Sequence, residues 1–254
     1  MSRTSTRRRR RAPWPFAAIA VLVAVAAAGG FAALNGGGGP AAPAAPAESG
    51  GDGTSVATAS PPGARSADGL LDPAAARAAL AQLPVKGRAP ATGYDRVGDF
   101  GEAWLDVDRN GCDTRDDILA RDLAAITRRA DCKVLTGTLT DPYTARSIAF
   151  TRGVDTSALV QIDHVVALLD AWQTGAQGLS RDTRVRLAND PLELLAVDGA
   201  TNQAKGAGDA ATWLPPNRGF RCEYAARQVA VKAKYGLWVT AAEGAALEGI
   251  LAGC

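Results

Sequence analysis

This chain has little with which to build several familiar kinds of site. It carries one histidine, His164, and four cysteines, Cys112, Cys132, Cys222 and Cys254. No two cysteines stand at the C-x-x-C spacing of a zinc site, and one histidine cannot complete a Cys/His ligand set, which excludes structural zinc of that kind. No internal repeat is visible, so a repeat architecture is excluded as well. Basic charge is scarce where coating nucleic acid would need it. Seven of the 28 lysines and arginines and two of the 26 acidic residues fall in 1–67, leaving 68–254 with 21 basic and 24 acidic residues, a net charge of −3. The overall pI of 8.4 is therefore a property of the N-terminal tail. A mildly acidic folded part argues against a broad nonspecific DNA-binding surface but leaves room for a small basic cleft around a metal.

Charge is also missing from Trp14–Leu34, 21 residues that follow the run Arg7–Arg11. The pattern predicts a targeting segment over 1–34. Its length suits a spanning helix, whereas its Ala/Gly-rich composition is only modestly hydrophobic, so a cleaved signal and a signal anchor both stay open. Either exports the C-terminal part, because the arginines remain on the cytoplasmic side. Residues 35–67 lack large apolar side chains and consist of Gly, Ala/Pro and Gly/Ser/Thr stretches, which predicts a disordered tether. The domain then occupies 68–254, secreted or held on the outer face of the membrane. An even number of cysteines behind an export signal predicts two disulfides. Of three possible connectivities, Cys112–Cys132 and Cys222–Cys254 are favoured, since each closes a local loop around helical segments.

Along the domain the pattern is mixed, and an α+β fold with a hairpin and surrounding helices is expected. Pro73–Leu83 has helical apolar spacing behind a possible Asp72 cap. Gly93–Trp104 reads as a loop anchored by Tyr94. Thr114–Arg129 reads as a helix with Ile118, Leu119, Leu123 and Ile126 on one face. Lys133–Leu139 and Ser147–Thr151 read as strands of a hairpin around Asp141-Pro142. Val160–Ile162 is a strand, Val166–Gln173 and Arg181–Leu187 are helices, and Leu192–Val197 is a second short apolar run. Asp198-Gly199 turns the chain into a helix carrying Asn202 and Lys205. Glu223–Tyr235, with Lys232 and Lys234, and Ala241–Leu251 close the domain as helices. Trp213, Trp238 and Tyr224 are expected in the core.

The chemistry concentrates in Val160–Asp209. Asp163 and His164 are adjacent at the end of an apolar strand, and Asn202 follows on a helix. Strand, connection, strand and helix carrying these groups is the layout of a one-metal phosphodiesterase site. A phosphodiester repels nucleophiles through its negative charge, so its hydrolysis needs a base for water and a cation for the phosphate and the leaving oxygen. A histidine neutral near pH 7 can be the base. A carboxylate and an amide oxygen are hard ligands suited to Mg²⁺ or Mn²⁺. Because a regular strand sends neighbouring side chains to opposite faces, the strand is expected to end or distort at Asp163-His164, with the imidazole open to solvent.

The segments IDHVVAL and NDPLELLAVDGATNQAKG resemble the HNH, or His-Me finger, nuclease motif. More narrowly, they resemble a family of exported actinobacterial HNH-like proteins related to the C-terminal part of a modification-dependent restriction nuclease. The likeness runs through NGCDTRDDILARDL, DPYTARSIAFTRG, DAATWLPPN and RCEYAARQVAVKAKYGLWVT, and so covers about Gly93–Cys254. It implies a ββα-metal core acting on nucleic acid, with DNA favoured over RNA. His164 would be the general base, Asp163 and Asn202 ligands of one divalent metal ion, and Lys205 a phosphate contact. The motif departs from the family in two places. Ala167 stands where many members have proline. Glu193 stands where an asparagine often supports the histidine loop, so a backbone carbonyl or Asn189 would orient His164 instead.

Other groups invite a role. Arg146, Arg152 and Arg218 are candidate phosphate clamps or ordinary surface arginines. Asp209 is a late metal ligand or a helix-terminus residue. Asp106, Asp108, Asn110, Gly111 and Asp117 have the spacing of an EF-hand loop, but Asp113 and Asp117 are wrong for its eighth and twelfth positions, so a capped turn entering the next helix is favoured over calcium. Two further readings compete with the nuclease: a surface-tethered binding module without turnover, and a calcium-stabilised envelope protein.

Overall fold

Asp72 caps the first helix with its side chain. Its carboxylate accepts the Ala74 amide at 2.9 Å, and Pro73 starts helix α1, Pro73–Leu80. This placement is what capping chemistry dictates, since the first turn leaves amides without intrahelical partners. The computed structural model describes residues 71–154 and 156–254. The targeting segment 1–34 and the linker 35–67 lie outside the described residues. Among those described, no helix is long and apolar enough to cross a membrane.

Two expectations fail along the next stretch. Gly93–Trp104 is not all loop: it contains α2, Arg96–Phe100. Asp95 accepts the Val97 amide at 3.1 Å, and Asp99 accepts the Asp95 amide at 2.8 Å. Five residues are too few for a hydrophobic period to register, so only the two aspartates signalled this helix. The helix expected over Thr114–Arg129 stops early. Helix α3 is Thr114–Asp122, and Leu123–Arg128 is strand β1. Ile118 and Leu119 are buried on α3, but Leu123 and Ile126 belong to a strand whose amides pair with the next one. The Asp122 carboxylate accepts the Ala196 amide at 2.9 Å, which anchors the helix end to a distant strand. Tertiary pairing overrides local periodicity here.

Strands β2 (Val134–Thr140) and β3 (Ser147–Thr151) form the expected antiparallel hairpin, and β1 adds to its other side in the order β1-β2-β3. A separate antiparallel pair joins β4, Val160–His164, to β5, Leu194–Asp198. Between them run α4 (Leu168–Gln173) and α5 (Arg181–Ala188). Helix α6, Gly199–Lys205, follows β5 directly, capped by Asp198, which accepts the Thr201 amide at 2.8 Å. Gly199 is required there: a Cβ would lie 2.0 Å from the Ala158 carbonyl oxygen. The glycine thus lets α6 start hard against the chain entering β4. The fold is α+β, as expected.

Helix α7, Arg221–Tyr235, is the central helix, buried from Glu223 to Lys232. Its Ala225, Ala226, Val229 and Ala230 pack with Leu71, Ala76 and Leu80 of the α1 region and with Leu247 and Leu251 of α8, Ala241–Leu251. The Cys112–Cys132 and Cys222–Cys254 disulfides form in the connectivity favoured from sequence. Tyr224 is fully buried, as expected, whereas Trp213 and Trp238 are half-buried.

Candidate active site

The β4–β5 pair fixes where each site group can point. Alternation sends Val160 and Ile162 into the core shared with Leu194 and Ala196, and the intervening residues to the opposite face. The strand ends at His164, one of the two outcomes expected, and it does so without distortion. Asp163 pairs with Leu195 and His164 with Leu194 in unbroken register. Asp163 and His164 therefore leave opposite faces, yet both reach one cleft of about 330 Å³. Asn202 from α6, Gln161, Gln203, Tyr94 and Arg96 line the same cleft.

His164 is not open to bulk solvent. It is 7 % exposed, with the cleft on one side and a slot of about 40 Å³ on the other. Its Nε2 lies 2.9 Å from the Ala188 carbonyl oxygen. A carbonyl only accepts, so Nε2 carries the proton and Nδ1 keeps its lone pair. Arg96 Nη2 lies 3.5 Å from that Nδ1. The Trp104 ring lies nearly parallel to the imidazole, with planes 16° apart and centroids 6.3 Å apart. Burial first, and the Arg96 charge second, push the His164 pKa down to about 3. The ring is neutral at any ordinary pH. A backbone carbonyl orients it, one of the two alternatives the sequence left; the Asn189 amide nitrogen turns instead to the Val185 carbonyl at 3.0 Å.

Asp163 is held from two sides. Oδ1 accepts from Lys205 Nζ at 2.9 Å, and Oδ2 accepts from the Tyr143 hydroxyl. Lys205 also donates to the His164 carbonyl at 2.6 Å and is 3 % exposed. Its ammonium thus lies beneath the strand end and does not line the cleft. Asn202 donates from Nδ2 to Gln161 Oε1 at 3.0 Å. Arg152 turns away to Asp116 and the Val134 carbonyl, while Arg146 and Arg218 are exposed and outside the cleft lining. The structure brings together His164, Asp163 and Asn202, tucks Lys205 behind them, and leaves the three arginines elsewhere. Arg96, Trp104, Tyr143 and Gln161 were missed from sequence. Arg96 beside Tyr94, in a domain short of basic residues, was the available signal.

Glu193 precedes β5 and is fully buried. Its Oε2 accepts the Val166 amide at 3.0 Å and so braces the turn after His164, while Oε1 has no hydrogen-bond partner. Burial raises its pKa well above the ordinary 4.5. A raised folded pKa means the unfolded chain releases this proton first, so the contribution to stability is full below about 4.5 and lost as pH rises toward the folded value. Glu193→Gln cannot titrate. Its stability relative to wild type should therefore increase between pH 4.5 and pH 7 in urea unfolding; a constant difference would show that Glu193 ionises normally.

Among the described residues another acidic group is close-packed: Asp170, Asp209 and Glu243 come within metal-binding distance of each other. Cations of the chain already occupy it. Lys232 Nζ lies 3.1 Å from Asp170 and 2.7 Å from Glu243, and Arg88 reaches Asp170 at 2.9 Å and Asp209 at 2.7 Å. Asp209 also accepts the Ala211 and Thr212 amides, the helix-terminus alternative weighed above. In the EF-hand-like segment, Asp106 and Asp108 accept the Asn110 amide, and Asp113 caps α3.

With this geometry in hand, comparison with known proteins gives the family. Residues 113–249 match the family described as GmrSD restriction endonucleases, C-terminal domain. An "Uncharacterized secreted protein" of Arthroderma benhamiae is 34 % identical over 181 residues, covering 70 % of this chain and 84 % of that protein. That relative is fungal, so it lends no support to a restriction to actinobacteria. No solved structure gives a significant match. The family match spans more than half of the chain and includes every residue from β4 through α6, and the chain belongs to the family of GmrSD restriction endonuclease C-terminal domains.

Proposed function

We propose that this protein is an exported, divalent-metal-dependent endonuclease with a ββα-metal core, hydrolysing nucleic-acid phosphodiester bonds with His164 as general base. The observation that carries the reading is the imidazole. Its one proton is committed to the Ala188 carbonyl, which leaves the Nδ1 lone pair for a proton, and the residue lines a cleft shared with Asp163 and Asn202. A base of this kind accelerates proton removal only when it is neutral and within reach of water. In the proposed step, Nδ1 takes a proton from the attacking water, and the Ala188 carbonyl steadies the imidazolium that forms. As the new P–O bond forms the P–O3′ bond breaks, and the imidazolium passes its proton to solvent, restoring the base. Lys205 and Tyr143 fix the Asp163 carboxylate, and Glu193 fixes the turn behind the histidine.

The donor chemistry fits a hard cation. Asn202 commits its amide hydrogen to Gln161, which leaves its carbonyl oxygen for a ligand. Each Asp163 oxygen accepts one hydrogen bond and retains another lone pair. Asp163 and Asn202 would hold Mg²⁺ or Mn²⁺, which when bound supplies positive charge to the phosphate and the departing 3′ oxygen. The preference for DNA over RNA rests on the family alone. The proposed layout keeps 1–34 as signal or anchor, 35–67 as linker and 68–254 as the nuclease domain. The secreted relative supports export, and a membrane role is confined to an uncleaved N-terminal segment.

A second reading, a binding module without turnover, draws on the Lys205–Asp163 pair, which already neutralises the carboxylate. Supercoiled plasmid incubated with Mg²⁺ or Mn²⁺, and in parallel with EDTA, separates the two. Nicking that EDTA stops supports the nuclease; intact plasmid under every metal refutes it.

A further inference from the structure

A site that hydrolyses a phosphodiester needs a positive charge facing the substrate, and Lys205 does not line the cleft. Arg152 is bound to Asp116. Among the described residues lining the 330 Å³ cleft, Arg96 is the single cation. It is exposed, and none of the ion pairs among the described residues includes it. Its guanidinium rests beside the Tyr94 hydroxyl and 3.5 Å from His164 Nδ1, at the atom where the attacking water must be held. Arg96 also lines the smaller slot on the other side of the imidazole, so it spans both openings to the base.

We infer that Arg96 is the phosphate-binding residue of this site: its guanidinium takes the non-bridging oxygens of the scissile phosphodiester and sets the phosphorus opposite the water held by His164. The inference rests on the nuclease reading for the reaction, but not for the binding. Arg96 is delivered by α2, outside the β4–β5–α6 unit and before the family match begins at residue 113. The segment from Tyr94 to Trp104 is therefore a working part of the site. It supplies the cation through Arg96 and the flat cover of the imidazole through Trp104. Planar, forked donors suit a phosphate better than the point charge of lysine.

The test uses the full chain carrying Arg96→Ala, Arg96→Lys and His164→Ala. On wild type, Arg96→Ala should raise KM for a short duplex by about 10- to 100-fold, the range for losing a charge-assisted hydrogen bond. Arg96→Lys should fall between the two, and the melting temperature should stay put because the side chain is exposed. In the His164→Ala background, binding of a fluorescent oligonucleotide should weaken by a similar factor when Arg96 is removed. Its dependence on salt, as log K against log concentration, should flatten by about 0.9 for one lost phosphate contact. Unchanged KM, binding and salt slope overturn the assignment while leaving the nuclease intact. Conversely, a wild type that never nicks but binds oligonucleotide through Arg96 keeps the assignment and sinks the nuclease.

Discussion

On the proposed reading, His164→Ala should lower metal-dependent plasmid nicking by at least about a hundred-fold, the lower end of what a positioned general base contributes. The substitution removes the only histidine of the chain, so no neighbouring imidazole can replace it. The fold should survive. The ring makes a hydrogen bond to the Ala188 carbonyl and a near-parallel contact with Trp104, and it borders the cleft and the slot. Water entering the vacated space can pair with that carbonyl, which limits the loss to the order of one hydrogen bond, about 1 kcal/mol. Far-UV circular dichroism and melting of the variant must therefore accompany the nicking rate. A folded His164→Ala protein that nicks as fast as wild type would remove the imidazole from the mechanism.

Lys205→Met destabilises the protein by about 3–5 kcal/mol, the range for leaving one partner of a buried ion pair uncompensated. Lys205 Nζ is fully buried and is bonded to Asp163 Oδ1 and to the His164 carbonyl. Methionine fills the volume but supplies no proton, so a carboxylate and a carbonyl are left short of partners at the end of β4. The loss should be measured by urea unfolding in EDTA. A phosphate contact, as the resemblance implied for Lys205, predicts the reverse: almost no change in stability, with weaker substrate binding. If Asp163 holds a divalent ion, Mg²⁺ or Mn²⁺ should recover part of the lost stability in Lys205→Met, because an ion bound only by the folded state stabilises it.

The two predictions are coupled through one strand end. The Asp163 carboxylate and the His164 carbonyl both accept from Lys205, while the His164 ring is directed by the chain leaving α5. Removing the ammonium should therefore disturb both the carboxylate and the backbone that carries the base. This also explains how neighbours on opposite faces of a regular strand can serve one cleft. The strand stops at His164, and α6 and α2 close around its end from the two sides.

Much of this arrangement was legible in the chain. Asp163-His164 after an apolar strand, a second apolar run, Asp198-Gly199 and then Asn202 gave the strand–strand–helix order, because alternation, turn chemistry and capping are local. Local loop closure favoured one cysteine pairing of the three possible, and that pairing forms. Less legible was the direction of long cationic side chains. Lys205 looked the same in sequence whether it faced solvent or Asp163, and Arg152 the same whether it faced substrate or Asp116. The end of α3 was misjudged for a related reason: Leu123 and Ile126 fit a helical stripe, and only β2 and the Asp122–Ala196 bond turn them into a strand.

The sequence by itself determined an α+β domain, two disulfides, and the three residues that line the cleft together. These depend on near neighbours, on short loops, or on the scarcity of alternatives in a chain with one histidine. Only the tertiary structure decided that the imidazole is buried and neutral, that Lys205 is an internal counter-ion, and that Arg96 is the cleft's cation. Those outcomes depend on which charges packing hides from water and which it leaves facing the cleft, and chain order does not encode that.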